Sequence, residues 1–189
     1  MKLTTPLGRS TLQVPRLGVG AMTWGEPTGL ARLSPAKLAY GGAHGREEEQ
    51  RAFEASVAAG VTLFDTAAMD SGGASERRLG ELARGKDVLI ATKFPPSPFS
   101  RTEDMPHALD ASLARLGRSW VDLYQHHFPS NRVSIPKLME LMADAVAAGK
   151  VKAVGATGNA ARIIPVLLPG FDFRRSRDEK IHHCQQHTD

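Results

Sequence analysis

The sequence predicts an α/β fold built on parallel strands, and three observations within residues 60–94 carry the prediction. Residues 61–64, Val-Thr-Leu-Phe, are a short apolar run with β-branched and aromatic members between Gly60 and the polar pair Asp65-Thr66, which is the pattern of a buried strand. Residues 75–82 carry helix formers with Leu79 and Leu82 three apart, and residues 88–91 are again short, apolar and β-rich before Thr92-Lys93; strand, short helix and strand in close succession make the parallel unit. The third observation is that a charged residue follows each strand. Chemistry in parallel α/β folds collects at the carboxyl ends of strands, so Asp65 and Lys93 are expected on one face of the molecule, on neighbouring strands.

The remaining elements are read around that unit. Residues 2–14 alternate loosely about the turn signal Pro6, Gly8 and Arg9, which predicts a small hairpin. Residues 16–25 supply a short strand whose end carries Met22 and Trp24; Gly18 and Gly20 lack the later glycine of a dinucleotide fingerprint and read instead as tight packing. Residues 26–46, with Pro27, Gly29, Pro35, Gly41, Gly42 and Gly45, form a longer connection than most compact domains use. It either overhangs the strand ends, offering Leu30, Leu33 and Tyr40 to a substrate, or is a surface excursion. A helix is expected from Glu47, with Phe53, Val57 and the small residues Ala52, Ser56 and Gly60 in an apolar stripe.

Beyond Lys93, residues 95–100 read as a loop, followed by a helix with Leu109, Leu113 and Leu116 on one side and Pro106 in its first turn. Residues 121–129 are the fourth strand of the main sheet. Alternation along it groups His127 with Gln125 and Leu123 and turns Tyr124, His126 and Asp122 toward the helices. Residues 135–149 are a helix with Leu138, Leu141, Met142 and Ala145 on one face and Gly149 as its cap, and residues 151–159 are a fifth strand.

The stretch from Asp65 to Lys93 resembles the signature of the aldo-keto reductases. Asp65, Thr66, Ala67, Gly73, Ser75, Glu76, Leu79, Gly80, Thr92 and Lys93 fall at that family's spacing, and Asp122-Leu-Tyr with His127 and Pro129 resembles its fourth strand. The resemblance runs over roughly residues 12–160. It implies a (β/α)8 TIM-barrel type of fold, incomplete, with about the first five strand-helix units preceded by an N-terminal hairpin that closes the barrel floor. A complete barrel typically needs roughly 250 residues, and this chain has 189, so it is read as truncated. The expected organisation is a partial barrel domain over residues 1–161 and a divergent, disordered tail over 162–189.

The resemblance also implies a function. In that family a nicotinamide cofactor, usually NADPH, delivers hydride to an aldehyde or ketone while a Tyr protonates the carbonyl oxygen. Asp65 and Lys93 are implied to tune that donor, His127 to orient the substrate, Met22, Thr157 and Asn159 to contact NADP(H), and Trp24 to line the substrate site. Hydride addition develops negative charge on oxygen, which explains an ammonium and a proton donor side by side. Two positions depart from the pattern. The Tyr position is Asp70, expected to be non-functional as a donor, and the family's Ser-Asn after the fifth strand is Thr157-Gly158, which keeps the hydroxyl and loses the amide. Cofactor affinity is expected to be weakened, because the strands that bind the pyrophosphate and 2′-phosphate in that family have no counterpart here. The expected function is therefore an NAD(P)H-dependent oxidoreductase, impaired or inactive as this chain stands. The alternative is a non-catalytic remnant or protein-interaction module.

Composition narrows the partners. Lys and Arg number 24 against 20 Asp and Glu, a formal net charge of +4, with aromatics at 6%; no basic stripe is interleaved with aromatics, so nucleic acid is not expected as a partner. The single Cys184 allows no intrachain disulfide, and no apolar run is long enough for a membrane span, which makes a cytoplasmic location the expectation. His182, His183, Cys184 and His187 lack the spacing of a structural zinc site, so no metal is expected. A five-stranded open sheet would expose its edges, and self-association through them is expected alongside a small carbonyl substrate.

Overall fold

The computed structural model describes residues 4–8, 10–27, 32, 45–95, 100–128 and 133–156. A two-stranded antiparallel hairpin, β1 (Thr4–Pro6) and β2 (Gln13–Pro15), comes first. Five parallel strands follow in one sheet whose spatial order is the chain order: β3 (Gly18–Gly20), β4 (Leu63–Asp65), β5 (Leu89–Phe94), β6 (Val121–His126) and β7 (Val151–Ala156). Helices α1 (Arg46–Ala58), α2 (Ala74–Leu82), α3 (Met105–Leu116) and α4 (Ile135–Ala147) connect them. These are the first five strands of a (β/α)8 barrel with the four helices that link them, and the sheet does not close among the described residues.

Parallel strands alternate their side chains between the helix layer and the barrel interior, and the two faces form separate clusters. The helix-facing cluster holds Phe53, Phe64, Leu79, Ile90, Leu109, Leu113, Leu116, Tyr124, Leu138, Met142 and Val154. The interior cluster is smaller: Ala91, Leu123 and Ala153 pack against Leu12 and Val14 of the hairpin, with Leu63 and Leu89 partly buried beside them. The hairpin thus plugs the floor of the interior, the role expected of it. Gly80 lets α2 pack directly on α3, because a Cβ there would sit 2.3 Å from the Leu116 carbonyl oxygen.

The helices end where local chemistry ends them. Pro106 and Pro136 sit in the first turns of α3 and α4, where no intrahelical N–H is needed. Gly117 at φ 64° and Gly149 at φ 72° take the left-handed conformation that closes each helix. Two expectations shift. The second strand of the sheet is Leu63–Asp65 rather than residues 61–64, because pairing with β3 and β5 reaches Asp65 while Val61 instead donates to the Ser56 carbonyl at the end of α1. The stripe of α1 is narrower than expected: Phe53 is buried and Val57 half-buried, but Ala52 is exposed and the second fully buried side chain is Glu49. The fifth strand is described through Ala156, so the expected boundary at residue 161 and the tail at 162–189 lie outside the described residues. No helix among the described residues is long and apolar enough to cross a membrane.

Candidate active site at the strand ends

Lys93 is the centre of the site. It lies on the interior face near the carboxyl end of β5, in register with Gln125 of β6, and is only 8% exposed. A buried ammonium needs acceptors, and two are supplied by the end of β4: Asp65 Oδ2 at 2.6 Å and the Thr66 carbonyl at 2.8 Å. Thr66 is itself fixed. Its Oγ1 lies 2.6 Å from Ser75 Oγ, and Ser75 Oγ donates to the Ala21 carbonyl at 2.6 Å; the Ser75 proton being committed there, Thr66 is the donor to Ser75. One hydroxyl pair therefore ties the ends of β3 and β4 to the first turn of α2 and sets the position of both Lys93 acceptors.

The chain after Thr66 folds back over Lys93. Ala68 N–H donates to the Lys93 carbonyl, and Asp70 N–H donates to the Ala67 carbonyl, opening a tight turn over Asp70–Gly73. Ser71, Gly72 and Gly73 follow with φ of 49°, 64° and 80°, a run of left-handed residues that brings the chain into α2. Ser71 Oγ donates to the Met22 carbonyl at 3.2 Å, joining this turn to the end of β3. Asp70 is half-buried there, and burial pushes its carboxyl up to about 6 against the pull of the Lys93 charge, with Asp65 and Glu76 adding to the rise. The aspartate at this position is therefore a much weaker acid than an ordinary one, yet it remains largely ionised at neutral pH.

His127 follows β6 and donates its backbone N–H to the Phe94 carbonyl at the end of β5. Burial, reinforced by Lys93 and His126, pushes its imidazole down to about 4, so it is neutral at physiological pH. Asp65, Asp70, Lys93 and His127, the four expected catalytic positions, are thus brought to one end of the sheet and into one electrostatic neighbourhood. Met22, expected on the cofactor, stands at the same end and is 39% exposed. Trp24, expected to line the substrate site, is placed differently: it is 6% exposed, its ring 6.1 Å from that of Phe64, so its indole fills the helix-facing core. Thr157 and Asn159 lie outside the described residues. Tyr124 faces the helix layer with no exposure, and burial together with Glu76 raises the pKa of its hydroxyl, so it is no substitute donor.

Sequence reading placed Glu76 in the motif but gave no bracing role to it, to Glu49 or to Arg78. Glu76 is fully buried and joins Thr92 Oγ1 at 2.6 Å to Arg115 of α3. Glu49 of α1 accepts the Gly25 N–H at 2.7 Å on one oxygen and Arg78 Nε at 2.7 Å on the other, which pins the turn after β3. Gly25 takes φ +75°, and a Cβ there would lie 2.5 Å from the Ala74 carbonyl oxygen. Glu49 and Arg78 were readable only as polar residues on amphipathic helices, since their pairing spans 29 residues.

Comparison with known proteins agrees with this architecture. The family model described as "Aldo/keto reductase family" matches residues 16–181, a span that runs past the expected boundary at residue 161. The chain is 33% identical over 159 residues to the aldo-keto reductase str7 of Strobilurus tenacellus, covering 80% of this chain and 44% of that protein. It is 30% identical over 165 residues to the aldo-keto reductase yakc [NADP(+)] of Schizosaccharomyces pombe, covering 80% and 44%. Among solved structures, an aldo/keto reductase of Klebsiella pneumoniae in complex with NADP and acetate superposes with a TM-score of 0.64 at 29% identity, covering 82% of this chain and 50% of that one. The holo form of an aldo-keto reductase from Bacillus halodurans shares the fold at a TM-score of 0.67 and 22% identity. The chain therefore spans about half the length of the relatives it matches, and a strand-end lysine held by the Asp-Thr pair of the neighbouring strand, within a parallel barrel sheet, agrees with the sequence match: this chain belongs to the aldo/keto reductase family.

Proposed function

We propose that the strand-end site is that of an NADP(H)-dependent oxidoreductase acting on an aldehyde or ketone, with turnover held far below that of a site carrying a phenol at position 70. The observation that carries this reading is the Lys93 ammonium, buried and held at 2.6 Å by Asp65, beside a neutral His127. The nicotinamide end of the cofactor fits the described residues. On the interior face at the strand ends Gly20 leaves open space, a Cβ there meeting nothing within 4 Å among the described residues, and Gln125 presents a carboxamide. When bound, the dihydronicotinamide supplies the hydride.

The chain's own groups do the rest. Lys93, fixed by Asp65 and Thr66, stabilises negative charge growing on the carbonyl oxygen, and the neutral imidazole of His127 orients that oxygen by hydrogen bonding. Proton donation falls to Asp70, whose carboxyl is protonated in only a minor fraction of molecules at pH 7 and is shorter than a tyrosine. Absence of an effective general acid typically costs about 10²–10⁴-fold in rate. A second reading, a non-catalytic module that binds cofactor or a protein partner, is favoured by the same ionised Asp70.

Titrating the chain with NADPH while following tryptophan fluorescence, then assaying aldehyde reduction in the unaltered chain and in Asp70→Tyr, tests both readings. Saturable quenching and a rate about 10²–10⁴-fold higher in Asp70→Tyr are expected. Quenching with no turnover in either form favours the non-catalytic module, and equal rates in the two forms sink the assignment of Asp70 to the donor position.

A further inference from the structure

We infer that Gln125 is a ligand-contacting residue of the strand-end site, and that its carboxamide pairs with the primary carboxamide of a bound nicotinamide. The inference rests on the cofactor reading above and adds a residue and a contact to it. Gln125 lies in register between Lys93 of β5 and Gly155 of β7, on the interior face. Adjacent strands are about 4.8 Å apart, so these three residues occupy one row across the mouth of the sheet. Gln125 leans toward β7: a Cβ on Gly155 would be in ordinary van der Waals contact with it, 3.7 Å from Cγ and 4.0 Å from Nε2.

A half-buried amide has one acceptor and two donor hydrogens to satisfy. The Gln125 amide makes no hydrogen bond to any described residue, whereas its neighbour in the row, Lys93, is committed to Asp65 and Thr66. A primary carboxamide offers a donor and an acceptor on one edge, and the nicotinamide's own primary carboxamide matches both at once, giving two parallel hydrogen bonds. Gly20, in register through Asp65 with Ala91 and so one step below this row, leaves open space beside it at the β3 end. Below the row, Ala91, Leu123 and Ala153 close the interior with small and apolar groups, so a ring enters from the strand ends and stops at this level.

The test compares binding of NADP⁺ and of 2′-phospho-ADP-ribose, the same molecule without the nicotinamide ring, by calorimetry to the unaltered chain, Gln125→Leu and Gln125→Glu. The expected result is a loss of roughly tenfold in NADP⁺ affinity in Gln125→Leu, a smaller loss in the near-isosteric Gln125→Glu, and no change for 2′-phospho-ADP-ribose in either. Equal NADP⁺ affinity in all three proteins overturns the inference and leaves the cofactor reading standing. Parallel loss of both ligands in Gln125→Leu, with both retained in full by Gln125→Glu, shows a packing effect and also overturns it. Failure of the unaltered chain to bind NADP⁺ at all overturns the cofactor reading and this inference together.

Discussion

The buried carboxylates of the helix layer and the carboxylate at the strand ends are paired in different ways. Glu76, with no exposure, commits one oxygen to Thr92 and the other to Arg115. Glu49, 3% exposed, divides its oxygens between the Gly25 N–H and Arg78. Asp65 commits one oxygen to Lys93, while its side chain stays 43% exposed and its second oxygen has no partner among the described residues. A carboxylate saturated on both oxygens can only hold elements together. One with an open oxygen beside a buried ammonium retains capacity to interact with a ligand, and the contrast separates the scaffold from the site it carries.

Glu76→Gln is the largest expected perturbation of that contrast. It removes the charge that compensates Arg115 in a buried pair and should cost about 3 kcal/mol in urea unfolding; a loss below about 1 kcal/mol would show that the helix-layer pairs are no more structural than the site. Next comes Asp70→Asn. The folded state raises the Asp70 pKa from 3.8 to about 6, so the native carboxyl takes up its proton earlier than the unfolded one as pH falls. Its contribution favours folding fully below pH 3.8 and is lost as pH rises through about 6, leaving an ionised, half-buried carboxylate at neutral pH. Asp70→Asn should therefore stabilise the protein by about 1–2 kcal/mol at pH 8, after allowing for partial solvation, and by only a small fraction of that at pH 4. A gain that is the same at both pH values would refute the electrostatic origin of the effect.

Asp65→Asn should cost less, about 1 kcal/mol, because Thr66 still accepts from Lys93 and the lost charge is half in water. The same substitution should shift the pH dependence of ligand binding, which Glu76→Gln should not. Lys150→Ala is the smallest effect. Its pair with Asp110 is exposed on both sides, and melting should change by no more than about 0.5 kcal/mol.

The parts legible in the sequence were those governed by local pattern. Val88, Ile90 and Val121 announced strands because buried parallel strands are apolar runs, and His127 could be assigned to the face of Gln125 because alternation is geometric. Asp65 and Lys93 were legible through their position after those runs. Trp24 was not, since an aromatic beyond a strand end can turn into the core or out over the site, and the choice is made by Phe64, forty residues away in sequence. Glu49 was equally hidden: a helix with three successive glutamates, Glu47, Glu48 and Glu49, gives no local sign of which one is swallowed. What selects it is the guanidinium of Arg78 and one N–H at Gly25, both supplied by other elements.

The identity of chain order and strand order has a consequence for how the molecule opens. Among the described residues each strand of the main sheet exchanges backbone hydrogen bonds only with its neighbours in chain order, so the sheet behaves as a one-dimensional array of nearest-neighbour couplings. β6, paired with β5 and β7 over the longer registers, is the centre of its most persistent segment, while β3 and the three-residue pairings at that end are the first to fray. Amide exchange should therefore be slowest at Thr92 and Tyr124 and quicken toward Val19, and Lys93 and Gln125 sit inside the segment that opens last.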